Sequence, residues 1–206
     1  MKLYMTPGSC STGIHILLEE LELVFEVHLV NLLAGDQHKP EYLAINPKAS
    51  IPTLVRDDGS ALTEFAAIAY WLARSYPRAH LLPGDVEGDS RVLELIDYAV
   101  GTLHGQGFAR LFTTEKFSSN PDDFEAVKTQ GLNIVRQGFD IVDSRLPAQG
   151  YAVGAFSIAD AALFYVEFWA DKSNIALPDN CLAHYRLMCS RQAVKRVLME
   201  EGYRLP

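Results

Sequence analysis

One cysteine sits where a strand would hand over to a helix. It lies in Thr6-Pro7-Gly8-Ser9-Cys10-Ser11, after the apolar run Leu3-Tyr4-Met5. Ile14, Leu17, Leu18 and Leu21 follow at i, i+3, i+4 and i+7, the spacing of an amphipathic helix. Ser9 or Ser11 is placed to cap that helix through its hydroxyl. The first-turn amides and the helix dipole favour a thiolate, so the spacing predicts a Cys10 with a lowered pKa. Such a thiol acts as a nucleophile or as a hydrogen-bond partner. An inert core thiol is the competing reading, since cysteine is often buried. Metal chemistry is not expected, because no two His or Cys residues share one element at ligand-like spacing. Cys181 and Cys189 flank His184 without such a pattern.

The elements that must position Cys10 follow in order. Phe25, Val27 and Leu29 alternate with Glu26 and His28, as in a half-buried strand. A short helix is expected from Pro40 to Ile45; His38 and Lys39 before it read as solvated surface. Ile51 to Val55 reads as a strand entered through Pro52, Asp57-Asp58-Gly59 as a hairpin turn, and Ala61 to Thr63 as the returning strand. Thr63-Glu64 opens a helix with the stripe Phe65, Ile68, Ala69, Leu72 and Tyr76, stopped by Pro77. A first-turn carboxylate at Glu64 is already favoured by the helix dipole. The order βαβαββα matches a thioredoxin-like α/β domain. The expected division is 1–78 for that domain, 79–87 for a linker, and 88–206 for an all-α helical domain. In the last, Asn120-Pro121-Asp122 starts one helix, and Ser157-Ile158-Ala159-Asp160 resembles a capping box with Asp in place of Glu or Gln.

Composition narrows the function classes. The 206 residues are 49% hydrophobic, enough for a substantial core. A net charge of -8 argues against nucleic acid or an anionic membrane as partner. Three cysteines do not make a disulfide framework, and a reducing compartment is the simpler reading. No secretory signal is read at the start, and the longest apolar stretch, Phe65 to Ala73, is too short for a membrane span. A cytoplasmic protein is expected.

Four stretches together resemble the cytosolic glutathione transferases, nearest the bacterial beta class. They are Met1 to Ser11, Asn46-Pro47-Lys48-Ala49-Ser50-Ile51-Pro52, Leu62-Thr63-Glu64 with Ala67-Ile68, and Phe156 to Asp160. The resemblance implies glutathione as co-substrate, no metal, and a homodimer. Cys10 or Ser11 would face the glutathione sulfur. Ile51 would pair its backbone with the cysteinyl portion, held by a cis Pro52. Glu64 would meet the γ-glutamyl end, His38 the glycine carboxylate, and His104 would reach in from the helical domain. Phe65 would contribute its backbone N–H. Met5, Phe108, Leu111, Phe112, Phe164 and Trp169 are candidate walls for a second, hydrophobic substrate.

Three departures accompany the resemblance. Phe65 stands where the family usually has serine, and losing one charged contact costs about 2 kcal/mol. Asp97 stands for a common asparagine. Gly105-Gln106-Gly107 follows His104 where lysine is usual, with one residue apparently inserted. All three point to weaker or altered glutathione binding. Conjugation of glutathione to a small electrophile is the first expectation. Thiol–disulfide reduction through a Cys10 mixed disulfide is the second, and ligand or protein binding without catalysis the third. No second cysteine stands three residues after Cys10, so reduction would run through one thiol.

Overall fold

The structure, a computed structural model, describes residues 1–204; the last two positions of the expected helical domain lie outside these. Strands β1 (Lys2–Met5), β2 (Glu26–Leu29), β3 (Thr53–Val55) and β4 (Ala61–Thr63) form one sheet in the order β2-β1-β3-β4. β1 and β2 run parallel with Leu3 beside Val27, joined by helix α1 (Ser11–Glu20). β3 is antiparallel to both β1 and β4. Helices α2 (Pro40–Leu43) and α3 (Phe65–Ser75) complete a thioredoxin-like unit. Its core holds Leu3, Met5, Ile14, Leu17, Leu54, Ile68 and Leu72. The alternating run on β2 does not join it, against expectation: Val27 and Leu29 are 43% and 68% exposed, and of that run only Phe25, before the strand, is partly buried.

The rest is helical. Asp85 caps α4 (Val86–Asp97), accepting from the Gly88 N–H at 2.9 Å, so this helix starts inside the stretch read as linker. The chain continues as a π-helical segment, Tyr98–Phe108, into α5 (Ala109–Phe112). A wide turn of this kind accommodates an extra residue in a helix. This is the stretch where the resemblance implies one inserted residue. Close packing on α6 (Phe124–Asp143) holds the segment: a Cβ at Gly107 would meet the Val135 side chain at 2.7 Å, and one at Gly138 would meet Leu103 at 2.5 Å.

Helix α7 (Ile158–Lys172) runs through the middle of the protein, buried on every side from Ile158 to Ala170. The capping box forms: Asp160 Oδ2 accepts from the Ser157 N–H at 2.7 Å and Ser157 Oγ from the Ala159 N–H at 3.3 Å. Helices α8 (Asp179–Ser190) and α9 (Gln192–Glu200) close the fold. His184 on α8 is buried between Glu167 and Asp160 of α7, at 2.8 and 3.0 Å. Burial pulls its pKa down, but the two carboxylates outweigh that and push it up to about 10. It is therefore a cation locking α8 to α7, a role its surroundings in sequence do not reveal.

Candidate active site

Cys10 immediately precedes α1 and is 8% exposed. Its Sγ donates to the Ile51 carbonyl at 3.6 Å. The amides of Cys10 and Ser11 pull its pKa down, as the turn suggested. Burial is the larger effect and raises it to about 12. The expectation of a lowered pKa is thus overturned: Cys10 is a protonated thiol at neutral pH and a hydrogen-bond donor. Ser11 is fully buried, and its hydroxyl is held by the Thr6 N–H at 3.2 Å, the Thr6 carbonyl at 3.1 Å and Ser9 Oγ at 2.5 Å. It shapes the turn and has no surface to offer a ligand, which corrects its place among candidate catalytic groups. Ser9, not Ser11, satisfies a first-turn amide, accepting from the Ser11 N–H at 3.2 Å.

The Ile51–Pro52 peptide is cis. The turn before it is pinned from inside. Tyr42 Oη and Asn46 Nδ2 both donate to the Ser50 carbonyl, at 2.5 and 2.8 Å, and Asn46 Nδ2 reaches Thr53 Oγ1 at 3.0 Å. These two positioning residues were missed; Asn46 was visible only as part of a motif. Pro52 is buried and Ile51 half-buried, which leaves its backbone beside Cys10 just before the start of the interior strand β3.

Glu64 is not in the first turn of α3 but just before it, at φ 73°. A non-glycine residue held there costs on the order of 1–3 kcal/mol, and such residues cluster at functional sites. Its carboxylate is paired with Lys48 Nζ at 2.7 Å, a partner absent from the sequence reading. Phe65 turns its ring inward against Tyr165, 5.3 Å between centroids. A Cβ on Gly13 would sit 2.7 Å from that ring, so Phe65 fills the space between α1 and α7 and only its backbone N–H is available outward. His38 stands exposed on a 3-10 turn, Asp36–His38.

From the helical side, His104 Nδ1 lies 3.3 Å from Tyr165 Oη, with its ring edge-on to Trp169 at 4.8 Å. Burial lowers its pKa to about 4, so it is neutral at physiological pH. Tyr165 is held well above its ordinary pKa by burial and by the nearby Cys10. Trp169 Nε1 donates to the Gly8 carbonyl at 2.7 Å, tying α7 to the loop that carries Cys10.

The expected second-substrate wall divides. Met5, Phe108 and Phe164 are fully buried. Phe164 stacks on Tyr185 of α8; because α7 is apolar all round, its periodicity names no face. Phe112 is half-exposed, stacked on Phe108 at 5.5 Å and edge-on to Trp169 at 5.3 Å; Leu111 is partly buried beside it in sequence. A cleft of about 720 Å³ lies elsewhere, between α4, the π segment and α6, and Asp97 lines it with Arg91, Tyr98 and Arg145.

Residues 8–75 match the family described as "Glutathione S-transferase, N-terminal domain", a stretch that holds Cys10, Ile51, Pro52 and Glu64. Over 98% of its length the chain is 34% identical to glutathione S-transferase GstA of Escherichia coli O157:H7, covering 99% of that protein. The chain belongs to the glutathione S-transferase family. The transferase superposes on a solved glutathione transferase homologue from Sulfitobacter with bound glutathione at a TM-score of 0.89, with 29% identity over 97% of both chains. It superposes on the bacterial beta class enzyme of Sphingomonas chungbukensis at 0.83, with 28% identity over 98% of this chain and 99% of that one. It therefore stands near the beta class, and it is a transferase by family.

Proposed function

We propose that this transferase joins glutathione to small hydrophobic electrophiles at Cys10. The observation that carries this is the Cys10 Sγ–Ile51 carbonyl contact. It puts a thiol donor beside backbone groups able to pair with a peptide as an added strand does. Ile51 holds the cysteinyl unit, with Pro52 setting the direction of its carbonyl. Glu64 meets the cationic amino group of the γ-glutamyl end, and the N–H groups of Phe65 and Ala66 at the head of α3 receive its carboxylate. His38 is the candidate for the glycine carboxylate.

Glutathione's thiol gives its proton to water, and the resulting thiolate is held by the head of α1 and by the Cys10 S–H, which turns from the Ile51 carbonyl to the sulfur. The sulfur then attacks an electrophile lying against Phe112, Trp169 and His104. A carbon–sulfur bond forms, and a leaving group such as chloride departs with its electron pair. Neutral His104 with Tyr165 supplies a hydrogen-bonding edge, not a charge. The mixed-disulfide route has less support, since a buried thiol with a raised pKa attacks disulfides slowly. The family further implies a homodimer and a cytoplasmic setting. Among the described residues no helix is long and apolar enough to cross a membrane.

The test is calorimetric titration with glutathione, followed by conjugation of a chlorinated dinitrobenzene. Binding at submillimolar to millimolar concentration is expected. Conjugation should be reduced by Cys10→Ala, which removes a donor to the thiolate, but not abolished, since Cys10 forms no bond to the substrate. Absence of binding at millimolar glutathione would leave a non-catalytic role.

A further inference from the structure

A second constellation lies outside the glutathione region. His15 and Glu19 share one face of α1, one turn apart, and Glu200 at the end of α9 closes against them. One ligand atom from each lies within 4.8 Å of the other two. The His15 side chain is 3% exposed, packed edge-on to Phe25. Its Nδ1 stands 2.9 Å from Glu201 Oε1; a carboxylate accepts, so the proton is on Nδ1. Its Nε2 is buried without a hydrogen-bond partner among the described residues, and Glu200 Oε2 lies 3.4 Å from it. A buried lone pair beside a carboxylate calls for a proton or a metal ion between them.

We propose that His15 Nε2, Glu19 and Glu200 bind a divalent transition-metal ion, zinc being the best match, with water completing the shell. One imidazole and two carboxylates are a donor set such ions accept. Arms of about 2.0 Å in a tetrahedron set donors about 3.3 Å apart, and the Nε2–Glu200 pair is already there. Glu19 must swing off Arg196, which now holds it at 2.7 Å. Glu200 is 52% exposed, so the ion has a way in from solvent. The outer shell is in place: Glu201 orients the ring, as carboxylates do behind metal-bound histidines. Its other oxygen accepts from the Gly8 N–H and Thr12 Oγ1, both at 2.7 Å. The ion would thus brace the loop that carries Cys10. This site is independent of the transferase reading.

The competing state is an imidazolium between Glu200 and Glu201 with no metal. Zinc ion titrated calorimetrically into the chelator-stripped full-length protein separates the two, with cobalt absorption in the visible as a second readout. One ion per chain is expected, with a raised melting temperature. Glu200→Gln and Glu19→Gln, both at least partly solvent-facing, should each weaken uptake at least about tenfold. Arg196→Gln, which frees Glu19, should tighten it several-fold. No uptake at millimolar zinc, or uptake undiminished in both glutamine variants, would overturn the proposal.

Discussion

Alkylation tests the state of Cys10 most sharply. With its pKa pushed up to about 12, about one thiol in ten thousand is ionised at pH 8. A free cysteine of pKa about 8.5 is about one-quarter ionised there, a ratio of about 2,000. The more basic thiolate is the better nucleophile, which returns a factor of about 40 at a Brønsted slope near 0.45. Cys10 should therefore react with iodoacetamide about 50-fold more slowly than free glutathione, before any loss from restricted access. Peptide mapping by mass spectrometry over a time course at pH 8 gives the rate. Cys189, half-buried with a pKa pushed up to about 11, serves as internal comparison and should label faster than Cys10. The same shift bears on stability. A folded pKa above the unfolded one means that the buried thiol's contribution is complete below about pH 8.5 and is lost as pH rises toward 12. Labelling of Cys10 at or above the rate of a free thiol would refute burial as the dominant effect and restore the activated-thiolate reading.

Gly13→Ala would place a Cβ 2.7 Å from both the Ala161 carbonyl and the Phe65 ring. It should cost about 1–3 kcal/mol by chemical denaturation, an overpacking penalty. His184→Asn leaves Asp160 and Glu167 buried without their cation; a loss of about 3–5 kcal/mol, read as a melting temperature about 10 °C lower, is expected. Trp169→Phe removes the donor to the Gly8 carbonyl, worth about 1 kcal/mol, and should raise KM for glutathione more than it lowers kcat.

The fold was legible because its signals are local. Alternation at Phe25–Leu29, the helical stripes after Ser11 and Glu64, and the Asp57-Asp58-Gly59 turn each name their element without help from the rest of the chain. The Cys10 turn was legible for the same reason. What stayed hidden depends on what packs over it. The raised pKa of Cys10 comes from burial of its thiol after folding, which the amide-rich turn does not show. Phe164 was taken for a pocket wall because α7 is apolar on every face. His184 looked like chance because its carboxylates lie 17 and 24 residues away on another helix. Phe65 turns inward against Gly13 and Tyr165. A serine there would supply a hydroxyl but leave a void against Gly13 and Tyr165, so the two residues are not simply exchangeable in this chain.

The most direct measurement is the crystal structure of the protein soaked in glutathione. The tripeptide should lie along Ile51 and Pro52 with its sulfur next to Cys10 Sγ, unbonded to it, and its γ-glutamyl end at Glu64 and the head of α3. Glutathione bound in the cleft beside Asp97, or disulfide-linked to Cys10, would contradict this.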